Sequence, residues 1–136
     1  MQNPPPVQTT KSSTGLDENI AALLSYVLGW VGGLIFFLIE KDSRLVRFHA
    51  MQSILLNVLV GITAVVVWVV WLVFFFIGSA IGDIIGGLIS IIGTLLWLLF
   101  FLGVAIAWIL CVVKAFQSQY WKLPIIGNFA EKFSAK

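Results

Sequence analysis

The sequence predicts an all-α integral membrane protein, a bundle of three transmembrane helices with a short amphipathic C-terminal segment. Three observations predict it. The 136 residues are 60% hydrophobic and only 10% charged, where a soluble domain carries about 25% charged residues. Residues 20–39, 54–77 and 84–113 are runs without a single Asp, Glu, Lys or Arg. The eight Lys and Arg all lie outside those runs. A net charge of +2 is too small to argue for a nucleic-acid partner. The single cysteine, Cys111, cannot form an intrachain disulfide, and its apolar surroundings suit a small buried residue.

The first 18 residues read as a disordered polar tail, with Pro4–Pro6 followed by Gln, Thr, Lys and Ser, because such a composition cannot bury a core. Residues 19–136 read as one membrane domain, with spans at about 20–39, 52–77 and 88–113 and an interfacial tail over 114–136.

Residues 20–39 are long enough to cross a hydrocarbon core of about 30 Å. They read as a retained span and not as a cleaved leader, since Glu40-Lys41 follows in place of a small-residue cleavage site. Asp17 or Glu18 suits the helix start. Ser25, Gly29 and Gly33 recur at four-residue spacing and predict a small-residue seam against another helix.

Asp42 or Ser43 suits the N-cap of the next helix. Along it His49, Ser53 and Asn57 share a face, with Gln52 beside them. Trp68 and Trp71 stand about twenty residues further on, where the far interface would lie. GSAIGDIIGG, residues 78–87, reads as the turn, with Asp83 solvated in it. The run that follows, residues 84–113, exceeds the core thickness and predicts a tilt or a bend near Gly93. Gly103, Ala107 and Cys111 predict a second small-residue seam.

In the tail, Tyr120, Trp121 and Lys122 are interfacial anchors by type. Pro124 stops the preceding helix. Asn128 suits the cap of a short surface helix carrying Phe129, Lys132 and Phe133. With three spans, seven of the eight Lys and Arg fall on one side and only Lys11 opposes them. The N-terminus is then outside and the C-terminus cytoplasmic.

The side chains able to do chemistry or recognise a partner converge on EKDSRLVRFHAMQS, residues 40–53. Glu40 ends the first run, Arg44 and Arg47 precede the second, and His49 and Gln52 begin its polar stripe. Glu40 is expected to meet Arg44, Arg47 or His49 at one cytoplasmic mouth. His49 is the group able to titrate near neutral pH, and the arginines suit lipid phosphates. The opposing reading is that the stripe makes interhelical hydrogen bonds that fix packing. No nucleophile–base pair, paired carboxylates, metal-ligand cluster or phosphate loop is present in the sequence.

ENIAALLSYVLGWVGGLIFFLIEK, RFHAMQS and YWKLPIIGNFAEKF together resemble a widespread family of small, uncharacterised bacterial and archaeal membrane proteins. That family is described as similar to the chloroplast inner-envelope import component of the Tic translocon. The resemblance implies a membrane part in transport or assembly and no established activity. The expectation is a multi-pass protein of the plasma membrane, without enzymatic role, cofactor or metal. It would act as a structural or interaction subunit that assists protein translocation or membrane assembly. Its partners would be membrane lipids, other membrane proteins or further copies of itself. The alternative is a small oligomeric channel or transporter.

Overall fold

The structure, a computed structural model, describes residues 11–135. The expected disorder of residues 1–10 and the terminal Lys136 lie outside the described residues. Five helices follow in order: α1 Glu18–Val27, α2 Gly29–Ile39, α3 Arg44–Ile81, α4 Asp83–Phe116 and α5 Ile126–Ser134. Among the described residues no strand forms beyond an isolated Lys11–Asp17 bridge. The all-α class holds, and α3 and α4 are the two helices long and apolar enough to cross a membrane.

The first apolar run does not form the expected span. It breaks at Leu28 and Gly29, where Gly29 takes φ +66°. A left-handed residue interrupts the i to i−4 ladder, and glycine adopts that conformation without a Cβ penalty. Two short helices result, and they pack on each other. The ends of the run come together. Ser12 Oγ donates to the Glu40 carboxylate, and Ser43 Oγ donates to that of Glu18. A straight helix over residues 18–39 would hold Glu18 and Glu40 about 30 Å apart. The run therefore doubles back on itself, and where three spans were expected there are two long apolar helices and a doubled-back pair.

Residues 11–17, the described part of the expected disordered tail, form a tight turn. Ser12 N donates to Leu16 O at 2.8 Å and Gly15 N to Ser12 O at 2.9 Å, with Gly15 at φ +83°.

The chain divides into two compact units. One comprises the described residues up to 57 together with 110–135, and the other is Val58–Ile109. The first unit packs through small side chains. Ala21, Ala22, Ala50, Cys111, Ala115 and Ala130 are all fully buried, as expected where close backbone approach and not water exclusion brings helices together. Tyr26, Phe36 and Phe48 are the large rings in that core. Ser43 caps α3 as expected, its hydroxyl accepting from Val46 N at 3.2 Å.

The second unit is a helical hairpin. Helix α3 continues through the expected 78–87 turn as far as Ile81, and α4 begins at Asp83, so the reversal takes place at Gly82, φ +69°, and Asp83, φ +53°. The glycines around the reversal serve packing. A Cβ on Gly78 would run into Ser90 and Gly86, and one on Gly86 into Gly78. Gly93 marks no break in α4, and a Cβ there would lie 2.7 Å from Phe74 Cβ. It is a contact glycine where a bend was expected.

Candidate functional site

The five residues expected at one mouth lie in the first unit but separate into three places. The deepest holds His49 and Gln52, both fully buried. The ring of His49 lies edge-on to Tyr26 and Phe48 at centroid distances of 5.6 and 5.1 Å. Its Nε2 is 2.8 Å from Gln119 O, and its Nδ1 is 3.0 Å from the Tyr26 hydroxyl. A carbonyl can only accept, so Nε2 carries the proton. Gln52 Nε2 donates to Tyr26 Oη at 3.0 Å and to Trp121 O at 3.1 Å, and approaches Cys111 Sγ at 3.9 Å. Leu123 N returns a bond to Gln52 Oε1 at 3.3 Å. Donation thus runs from Gln52 to Tyr26 to His49 to the backbone of the tail. Helices α1, α3 and α4 and residues 119–123 are tied together through two side chains of α3.

The remainder of the expected stripe follows the packing reading. Ser53 Oγ donates to Gly29 O at 3.4 Å, and Asn57 Nδ2 donates to Ser53 O within its own helix at 2.8 Å.

The second place is the Glu40 carboxylate, buried and encircled by donors. Besides Ser12 it accepts from Ser13 N at 3.0 Å, Ser13 Oγ at 2.8 Å, Asp42 N at 3.1 Å and Ser43 N at 2.8 Å. Burial opposes its ionisation, but the bonds from Ser12, Ser43 and Ser13 outweigh burial and lower its pKa to about 2. The expected meeting with Arg44, Arg47 or His49 is replaced by a nest of hydroxyl and backbone N–H groups.

Arg47 approaches Glu40 through the main chain. Its guanidinium donates to Glu40 O at 2.8 Å and Phe37 O at 3.2 Å, and lies 4.7 Å from the centre of the Phe37 ring. A cation on the last carbonyls of a helix satisfies groups that the ladder leaves open and complements the dipole. Arg47 therefore closes the end of α2, and Arg44 is the arginine that faces outward.

The third place is a cavity of about 190 Å³ lined by Arg44, Phe48, Tyr120, Glu131 and Ser134. Glu131 pairs with Lys122. The hydrogen bond from Lys122 holds the Glu131 carboxyl below its ordinary range, burial opposes it, and the charges of Lys122 and Arg44 add to the lowering. Burial raises the Tyr120 hydroxyl, Glu18 adds to the rise and Arg44 offsets part of it. Helix α5 completes this wall. It runs from Ile126 to Ser134, longer than expected, and its entry is the left-handed Ile125 at φ +68°, not an Asn128 cap. Its amphipathic character is as expected. Gly127, Ala130 and Ser134 face inward while Phe129 and Phe133 are exposed.

Of the expected seam residues, Gly33 packs as expected, since a Cβ there would meet Ala50 O at 2.9 Å and Ile54 Cγ1 at 3.0 Å. Ser25 bonds back to Ala21 O at 3.0 Å within α1, and Gly29 is the hinge. In the second unit Gly103 has open space around it, and Ala107 is half-exposed, so no close approach occurs there. Of the expected anchors, Trp68 and Tyr120 are half-exposed, Trp71 Nε1 donates to Thr94 Oγ1 at 3.3 Å, and Trp121 is tied through its carbonyl to Gln52. Among the described residues no three of His, Cys, Asp and Glu gather as metal ligands would. Sequence reasoning missed Tyr26, Ser12 and Ser13. Tyr26 carried a usable signal, being a phenol in the middle of a charge-free run.

The model of the magnetosome magnetite crystal formation protein family matches residues 15–130, which include Tyr26, Glu40, Arg44, His49, Gln52 and Tyr120 but not Ser12, Ser13, Glu131 or Ser134. The chain belongs to this family. A UPF0132 membrane protein of Methanocaldococcus jannaschii is 38% identical over 124 residues, covering 91% of this chain and 94% of its own. A UPF0132 membrane protein of Archaeoglobus fulgidus is 38% identical over 117 residues, covering 86% and 95%. A second M. jannaschii UPF0132 membrane protein is 34% identical over 119 residues, covering 88% and 71%. These relatives are named as membrane proteins only, and chloroplast import is no part of their description. No solved structure matches the chain.

Proposed function

We propose that this family member is a non-enzymatic structural or interaction subunit of the cell membrane. Helices α3 and α4 cross the membrane, and α1 and α2 form a re-entrant pair that leaves both termini on the cytoplasmic face. The observation that carries the reading is the use made of the buried polar groups. His49, Gln52 and Tyr26 spend their hydrogen bonds on each other and on the tail backbone, an arrangement suited to holding a shape. The large exposed apolar surface of Val58–Ile109, including Trp68, Phe76, Ile84 and Leu99, suits lipid or the helices of other membrane proteins. Charge supports the orientation. With a re-entrant first run every Lys and Arg, Lys11 included, lies at the cytoplasmic end.

The relatives' family description speaks of magnetite crystal formation, and for this chain we carry over a membrane-embedded part in an assembly. Assistance to protein translocation is one form that part would take. Crosslinking and pull-down of the native protein test it, with solute flux through liposomes containing the purified chain as the control. A specific co-purifying membrane protein without flux is expected. Flux without a partner would overturn the reading in favour of a channel.

A further inference from the structure

We propose that the cavity between the start of α3 and the tail is a binding site for the headgroup of a zwitterionic aminophospholipid. The proposal rests on the membrane reading above and adds a ligand class to it. The walls are bipolar. Arg44 supplies a guanidinium, Glu131 a carboxylate, and Phe48 and Tyr120 supply rings 5.5 Å apart. Arg44 makes no side-chain hydrogen bond among the described residues, so its fork is free for a phosphate, the group it pairs with best. A primary ammonium attached to that phosphate would meet Glu131 and the Tyr120 ring, an acceptor and a π face suited to a cation.

The cavity, about 190 Å³, has room for a small polar headgroup. The surroundings decide for a lipid over a free metabolite. Ile125, Phe129 and Phe133 are 74, 52 and 52% exposed on the tail that forms the wall, an apolar border along which acyl chains can lie. Glu131 engages Lys122 through Oε2, which leaves its second oxygen as an acceptor for an ammonium that a purely anionic lipid lacks.

The test is native mass spectrometry of the full chain in detergent, with dioleoylphosphatidylethanolamine, dioleoylphosphatidylglycerol and soluble O-phosphoethanolamine added separately and in competition. One retained phosphatidylethanolamine is expected, in preference to phosphatidylglycerol. Arg44→Gln should weaken retention of both lipids about tenfold, the loss of one charge-assisted bond. Glu131→Gln should reverse the preference, since Lys122 is then left without its carboxylate. Both side chains are exposed, and unchanged thermal unfolding would show that the variants fold. Equal retention by Glu131→Gln, preference for phosphatidylglycerol in the native chain, or displacement of the lipid by equimolar O-phosphoethanolamine would overturn the proposal. Because binding is read in detergent, failure of the two-crossing topology would not produce any of these results.

Discussion

The carboxylate of Glu40 accepts a hydrogen bond from the hydroxyl of Ser12, 28 residues earlier in the chain. An apolar run long enough to cross a membrane lies between them, yet its two ends meet. That contact doubles the run back on itself, and the two-crossing arrangement proposed above rests on it.

Topology is the first consequence to test. In a Cys111→Ser background, single cysteines at Thr14, Ser79 and Ala135 all stand at exposed positions. A membrane-impermeant maleimide should reach Ser79→Cys from outside, and Thr14→Cys and Ala135→Cys only after the cytoplasmic face is opened. Labelling of Thr14→Cys from outside would restore the three-span arrangement.

The glycines of α2 should respond differently because their roles differ. Gly33→Ala brings a Cβ to 2.9 Å from Ala50 O and should destabilise the protein by about 1–3 kcal/mol through overpacking. Gly29→Ala meets no neighbour but must hold φ +66°, at a cost of about 1–2 kcal/mol. Gly29→Asn should recover part of that loss, since Asn tolerates the left-handed region. Gly103→Ala, in open helical surface, should stabilise by about 0.5–1 kcal/mol. Thermal unfolding in detergent measures all four. A Gly33 variant as stable as the native chain would mean that α2 does not lie on α3.

Glu40 predicts an acid transition. Its pKa is lowered from an ordinary 4.5 to about 2 in the folded chain. A depressed carboxylate stabilises the fold fully above its unfolded pKa, and that stabilisation is lost as pH falls through the folded value. Stability should therefore decline between about pH 4.5 and pH 2, by at most about 3 kcal/mol for such a shift. Glu40→Gln should be less stable at neutral pH and should lose most of the slope across that window. An unchanged acid slope in Glu40→Gln would assign the transition elsewhere.

The Tyr26–His49–Gln52 clamp predicts a local effect on the tail. His49→Ala removes a partner from Tyr26 Oη and from Gln119 O and should cost about 1–3 kcal/mol in unmet polar groups. The tail should loosen first, seen as faster tryptic cleavage after Lys122, before α3 or α4 is lost. Tyr26→Phe should loosen it less, because His49 keeps its bond to Gln119. Full retention of tail protection in His49→Ala would return His49 to the role of a free functional group.

What the chain determined by itself is what short-range chemistry can write. Charge-free runs gave the membrane class, Asp42 and Ser43 marked the start of α3, and the spacing of Phe129 and Phe133 gave an amphipathic α5. The inward face of His49, Gln52 and Ser53 was legible too, because helical periodicity places them together. Tertiary structure alone decided the path. Hydropathy measures the transfer of each residue into lipid and is indifferent to direction, so residues 20–39 read as a crossing whether or not Gly29 turns them back. Gly93 read as a bend for the same reason, since a glycine's sequence neighbours do not reveal the Phe74 ring packed against it. The partners of Glu40 come from Ser12 and Ser13, and those of His49 and Gln52 from the carbonyls of Gln119 and Trp121. Every residue carries a carbonyl, so only the folded chain could show which of them the buried polar groups would reach.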